Sequence, residues 1–173
     1  MKGCDKLVDV GRRQFLRGGA LATAGVATAA VLPGRAEAKP PPARVEYPSS
    51  KLANVSQLKP NTPLDISYPD RDSPGVLIKL GTRVASGVGP DGDIVAYSTL
   101  CPHKGFPLNY SPADKTLSCP GHYSRFDCEK GGLQIMGQAT QNLPQFTLRV
   151  AANGDIFAEG VDELIYGRLS NVL

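Results

Sequence analysis

The sequence predicts an all-β domain that carries one inserted segment. Glycine and proline, with 19 and 15 residues, make up about a fifth of the 173 residues and favour turn-rich β structure over a helical bundle. From residue 39 onward, apolar residues come in short runs that alternate with polar ones, as in half-buried strands. No stretch of ten residues in that part has a helical periodicity.

Residues 1–38 have the three parts of a twin-arginine signal peptide. Arg12 and Arg13 precede a Phe-Leu pair, a mildly apolar run follows over residues 18–32, and residues 36–38 form a small-x-small cleavage site. Signals of this type export proteins that are already folded, so we expect a periplasmic protein whose cofactor is inserted before export. The apolar run has 15 residues, whereas roughly 20 are needed to span a bilayer. We therefore expect no stable membrane span, with a retained anchor as the alternative.

An extended arm is predicted over residues 39–50, because three consecutive prolines follow Lys39, and a domain over residues 51–173. Glycine-containing loops at 89–93 and 151–154 are expected to join two pairs of strands into hairpins. The strands are expected at residues 64–68, 76–80, 83–88, 94–97, 146–150 and 155–158.

The charge distribution argues against a polyanionic partner. Residues 1–38 hold six basic and three acidic side chains, which accounts for the whole net charge of +3. The exported part is therefore neutral, and the chain has no tryptophan and only 6% aromatic residues. Nucleic acid is not expected as a partner, because its recognition needs basic surfaces and stacking side chains.

The inserted segment, residues 98–132, holds both histidines and three of the four cysteines of the chain. Two motifs, Cys-Pro-His and Cys-Pro-Gly-His, each offer one thiolate and one imidazole. Together they make a set of four soft and borderline ligands. Two bridged irons fit this set, with the thiolates on one iron and the imidazoles on the other. A structural zinc ion that staples the loops is the alternative, since Cys2His2 sites use the same ligands.

The insert resembles the cluster-binding loops of Rieske [2Fe-2S] proteins at Cys-Pro-His-Lys-Gly-Phe, residues 101–106, and Cys-Pro-Gly-His-Tyr-Ser-Arg-Phe-Asp, residues 119–127. The resemblance implies a Rieske-type antiparallel β sandwich, an inserted cluster-binding subdomain made of two loops, and one [2Fe-2S] cluster per chain. The implied ligands are Cys101 and Cys119 on one iron and His103 and His122 on the other.

Four further positions matter by the same resemblance. Ser124 lies where the family often has a serine that donates to a bridging sulfide. Phe126 replaces the tyrosine that high-potential members place near a ligand sulfur, so a lower potential is predicted. Phe106 and Gly121 stand where many members have a disulfide between the loops. We expect Phe106 to shield the cluster by packing, and Gly105 and Gly121 to let the backbone approach the sulfurs.

Two cysteines fall outside the ligand set. Cys4 would leave with the signal peptide if that segment is cleaved. Cys128 is expected to be a buried free thiol, because a lone cysteine is usually a small apolar residue of the core.

Residues 45–171 are similar to the small subunit of bacterial arsenite oxidases. This resemblance implies an electron-transfer subunit without catalytic residues. Its expected partners are a large subunit with molybdenum and a [3Fe-4S] cluster, which oxidises arsenite to arsenate, and a periplasmic cytochrome c or copper protein of the azurin type. Alternatives are the Rieske subunit of a quinol-oxidising complex and the ferredoxin of a dioxygenase. The face near His103, with Phe106 and Leu108, is the predicted docking surface.

Overall fold

The computed structural model describes residues 46–172. The predicted signal peptide, Cys4 and most of the predicted arm lie outside these residues. Within the described range no helix is long and apolar enough to cross a membrane.

Ten strands form three antiparallel sheets, and the only helical segments of the described chain are two three-residue 3-10 turns, Val55–Gln57 and Cys128–Lys130. The outer sheet has the order β1-β10-β9, the middle sheet β2-β3-β4 and the insert sheet β5-β6-β7-β8. The all-β prediction is confirmed. The strands are β1 Ser50–Asn54, β2 Pro63–Ser67, β3 Pro74–Lys79, β4 Ile94–Ser98, β5 Asn109–Ser111, β6 Thr116–Ser118, β7 Arg125–Asp127, β8 Leu133–Met136, β9 Phe146–Val150 and β10 Asp155–Val161.

Strands β3 and β4 of the middle sheet are buried on both faces, which explains the uninterrupted apolar run in β3. Val76 and Ile78 face a core shared with the insert sheet, whereas Leu77 faces a second core shared with the outer sheet. β4 divides its side chains in the same way, with Tyr97 in the first core and Ala96 in the second. Each large apolar side chain buried here contributes about 1.5–3 kcal/mol of transfer free energy. The insert is thus built directly onto the sandwich.

One of the two predicted hairpins is wrong. Residues 83–88 do not form a strand, and β4 pairs with β3 instead. Val88 meets Ile94 only through an isolated bridge, and Gly87 lies so close to Gly92 that a Cβ at Gly87 would be 2.2 Å from the Gly92 carbonyl oxygen. The segment is therefore folded into a compact loop rather than extended. The other hairpin, β9 with β10, is confirmed.

The described part of the arm lies against the outer and middle sheets. Tyr68 donates its hydroxyl hydrogen to the carbonyl of Pro48 over 2.9 Å, and Ser49 donates to Glu159 over 3.0 Å. β1 begins at Ser50 and pairs with β10. The sequence analysis did not predict this strand, because only Leu52 and Ala53 interrupt its polar residues.

Candidate metal centre

Two hairpin tips carry the predicted ligands: the first loop, residues 101–106, and the second loop, residues 119–124. The same pair of backbone hydrogen bonds closes each of them. Cys101 N–H donates to the carbonyl of Phe106 and Gly105 N–H to the carbonyl of Cys101, over 2.9 and 2.7 Å. In the second loop Cys119 N–H donates to the carbonyl of Ser124 and Tyr123 N–H to that of Cys119, over 2.8 and 3.1 Å. The matching bonds present both cysteines in the same way.

The two thiols lie deep and the two imidazoles lie near the surface. Cys101 and Cys119 are 1% and 2% exposed, and their thiols are within hydrogen-bonding reach of each other. The ring centroids of His103 and His122 are 4.8 Å apart, with the planes at 79°. His122 is exposed and His103 is half-buried. The structure therefore brings the two thiols close to each other and the two imidazoles close to each other, on neighbouring loops.

The surroundings of Cys101 both oppose and support a negative charge on its sulfur. Burial raises the pKa of the Cys101 thiol, while hydrogen bonds from the backbone N–H groups of His103 and Lys104 lower it in part. Such N–H groups also stabilise the electron-rich sulfurs of a cluster.

The residues present fit a two-iron cluster. Nδ1 of His103 is buried and has no hydrogen-bond partner among the described residues, which is expected of an imidazole nitrogen reserved for a metal. A two-iron cluster of this type needs two thiolates on one iron and two imidazoles on the other, and the four predicted ligands supply both pairs. The ligand assignment itself stays a prediction.

Ser124 is fully buried behind the second loop. Its hydroxyl oxygen accepts hydrogen bonds from the backbone N–H groups of Gln138 and Ala139, each over 3.0 Å. With its acceptor positions filled, the hydroxyl hydrogen is free to be donated, and no described protein group accepts it. This arrangement fits the donor role that the resemblance implies. Sequence reasoning missed Gln138 and Ala139, because backbone donors leave no signal in the side chains.

Phe106 of the first loop contacts the second loop at the place where many members of the resembled family have a disulfide. Its ring lies edge-on to His122, with centroids 5.8 Å apart, and a Cβ at Gly121 would be 3.0 Å from Cγ of Phe106. The structure thus places Phe106 against Gly121. Gly121 makes room for the Phe106 ring, and Gly105 makes room for the ring of Tyr166. The close approach of their backbone to the sulfurs stays a prediction.

The predicted docking surface also needs one correction. Phe106 is 44% exposed, but Leu108 is only 8% exposed and belongs to the core that contains both cysteines. Tyr123, which is 73% exposed and adjacent to His122, replaces Leu108 on this surface. Sequence reasoning did not single out Tyr123 or Tyr166.

Replacing Phe126 with tyrosine is expected to raise the midpoint potential of the cluster. Phe126 is fully buried in the same core as both cysteines and offers no hydrogen-bond donor. A hydroxyl that donates to a ligand sulfur would stabilise the reduced, more negative cluster. Redox titration followed by EPR measures the shift. A Phe126→Leu variant controls for altered packing, and an unchanged or lower potential in Phe126→Tyr would contradict the account.

Cys128 is expected to resist alkylation in the native protein at pH 8. It is completely buried, and burial, with the nearby Asp127 carboxylate adding to it, raises the pKa of its thiol to about 12. The reactive thiolate is therefore almost absent at that pH. Iodoacetamide treatment followed by peptide mass spectrometry should find Cys128 modified only after denaturation. Modification without denaturant would show that the thiol is accessible.

Comparison with known proteins identifies the family. The Rieske [2Fe-2S] domain profile matches residues 49–147. The chain is 42% identical over 163 residues to the iodate reductase subunit IdrB of Denitromonas iodatirespirans, a match covering 92% of this chain and 85% of that protein. The same subunit from Pseudomonas sp. (strain SCT) is 38% identical over 90% of this chain and 81% of its own length.

A solved structure with the same fold is the soluble domain of the Rieske protein II (soxF) from Sulfolobus acidocaldarius. It matches with a TM-score of 0.63 and 24% identity, over 73% of this chain and 85% of that chain. The predicted sandwich with its inserted subdomain is therefore confirmed. The chain belongs to the Rieske [2Fe-2S] domain family, and its cofactor is a [2Fe-2S] cluster.

Proposed function

We propose that the chain is the non-catalytic electron-transfer subunit of a periplasmic oxidoreductase that converts an oxyanion, of the iodate reductase type. The observation that carries this proposal is the likeness to two subunits of iodate reductase over 90% or more of the chain. A likeness of this extent includes the arm and the C-terminal part, beyond the residues that the family profile matches.

When bound, the cluster supplies a reversible one-electron carrier. The chain's own residues determine where a partner comes closest to it. Cys101 and Cys119 are shielded by the core, whereas the imidazoles of His103 and His122 reach the surface. A partner that covers His122 and the exposed ring of Phe106 would exclude water from the shortest route.

The proposed partners are a large catalytic subunit, with molybdenum and a [3Fe-4S] cluster, and a periplasmic cytochrome c or copper protein. The twin-arginine signal predicted for residues 1–38 supports the periplasmic location, because it serves proteins folded around a cofactor. In a reductase the electrons pass from the soluble protein through this chain to the large subunit. In an arsenite oxidase, the alternative that the sequence resemblance implied, they pass in the opposite direction.

The direction of electron flow separates the two substrates. The native complex, purified with its large subunit, is reduced with a limiting amount of dithionite and followed by the EPR signal of the reduced cluster. Addition of iodate should remove the signal if the complex reduces iodate. Addition of arsenite to the oxidised complex should generate it if the complex oxidises arsenite.

The isolated chain, which keeps its cluster but lacks the large subunit, should respond to neither compound and controls for direct reaction of each compound with dithionite or with the cluster. Failure of iodate to reoxidise the wild-type cluster, together with reduction by arsenite, would replace iodate reduction by arsenite oxidation. Failure of both would overturn the assignment to an oxyanion-converting complex.

A further inference from the structure

The C-terminal segment, residues 162–172, leaves the outer sheet and returns to the first loop. Tyr166 lies against Gly105: a Cβ built on Gly105 would be 2.5 Å from both Cδ1 and Cε1 of the Tyr166 ring. Such a distance is far below van der Waals contact, so the ring occupies the place where any other residue would carry its side chain. This contact joins a segment beyond the matched family residues, 49–147, to a ligand loop.

A comparison of the two loops shows why position 105 requires glycine. Gly105 and Tyr123 are equivalent, since each donates its N–H to the carbonyl of the cysteine four residues earlier. Both have a positive φ, 69° and 59°. The second loop therefore accepts a tyrosine in this conformation, and backbone geometry alone does not demand glycine. The ring of Tyr166 imposes the requirement for glycine at position 105, because it fills the space where a side chain would lie.

The segment that carries Tyr166 is fixed on both sides of it. Ile165 is buried in the core between the outer and middle sheets, and its N–H donates to Oδ1 of Asn171 over 2.9 Å. Arg168 makes two hydrogen bonds to the carboxylate of Asp70, each of 2.7 Å. Bidentate pairs of this kind add geometric precision as well as energy. The ring is thus held in place by the sandwich.

We propose that Tyr166 is a positioning residue that clamps the first loop and thereby retains and tunes the cluster. The N–H of Gly105 donates to the carbonyl of Cys101, and the N–H groups of His103 and Lys104 lie beside the Cys101 sulfur, where they favour a negative charge on it. A loop released from the ring would hold these donors less firmly, which destabilises the reduced, more negative cluster. The proposal rests on the ligand assignment above and is independent of the substrate.

The test compares four variants of the full chain. Tyr166→Ala is expected to lose its visible absorbance several-fold faster in the presence of an iron chelator and to have a lower midpoint potential. Tyr166→Phe should behave as the wild type, because the contact is made by ring carbons. Tyr123→Ala removes an exposed tyrosine at the equivalent place of the other loop and should retain its cluster normally. Arg168→Ala should show the same change as Tyr166→Ala to a smaller degree.

A pair of variants tests the contact itself. Gly105→Ala should impair cluster retention strongly in the wild-type background and less when combined with Tyr166→Ala, because the collision with the ring is then removed. Equal effects of Gly105→Ala in both backgrounds, or unchanged retention and potential in Tyr166→Ala, would overturn the clamp while leaving the cluster assignment intact. A wild-type protein without iron and acid-labile sulfide would overturn the cluster assignment instead.

Discussion

Replacing His103 or His122 with alanine is expected to abolish the characteristic Rieske EPR signal, because each change removes one of the only two imidazoles in the chain. No other histidine exists to replace the lost ligand, and an alanine side chain cannot bind iron. The buried Nδ1 of His103, which has no partner among the described residues, is the atom whose loss should matter there. EPR of the reduced protein, with iron and sulfide analysis of the same sample, measures the effect.

Lys104→Ala is the matched control, since Lys104 is exposed and adjacent to His103. Its EPR signal should equal that of the wild type. A full Rieske signal in either histidine variant would show that the ligand assignment is wrong. One zinc ion per wild-type chain, without sulfide, would favour the structural zinc module.

Cysteines at positions 106 and 121 together are expected to form a disulfide in air and to stabilise the fold. The Phe106 ring carbon next to Cβ lies 3.0 Å from the Cβ position of Gly121, so the two Cβ atoms are within the range of a disulfide. Closing a loop of about 15 residues constrains the unfolded chain by about 3 kcal/mol. The loss of the Phe106 contact with His122 offsets part of this gain.

Thiol titration and thermal unfolding, each with and without a reductant, check the result. The variants Phe106→Cys and Gly121→Cys alone carry the same side-chain changes without the bond, and neither should gain stability in air. A double variant whose thiols stay reduced in air would contradict the placement of the two loops.

The sequence predicted the site better than its surroundings. Two loops with one cysteine and one histidine each are a local pattern, and both histidines of the chain occur in it, so the four candidate ligands could be named. The alternating runs at β2 and β9 predicted strands, and the short apolar run at β3 also held. Residues 83–88 failed because their turn depends on the close approach of Gly87 to Gly92, which leaves no alternating pattern.

Contacts between distant parts of the chain could not be predicted. The space next to Gly105 is taken by Tyr166, which lies 61 residues later in the chain, and no local pattern indicates this contact. The N–H groups of Gln138 and Ala139, which donate to Ser124, likewise come from a different segment, the one that follows β8. Such pairs follow from tertiary packing and not from local residue preferences.

The middle sheet has one core on each face, and we expect the stability of these two cores to depend on iron to different degrees. The core between the outer and middle sheets contains none of the predicted ligands, whereas the other core includes Cys101 and Cys119. Extraction of iron should loosen the insert sheet first and leave hydrogen-exchange protection in β3, β9 and β10. A sandwich that persists without its metal would give the empty chain a scaffold ready for assembly of a new cluster.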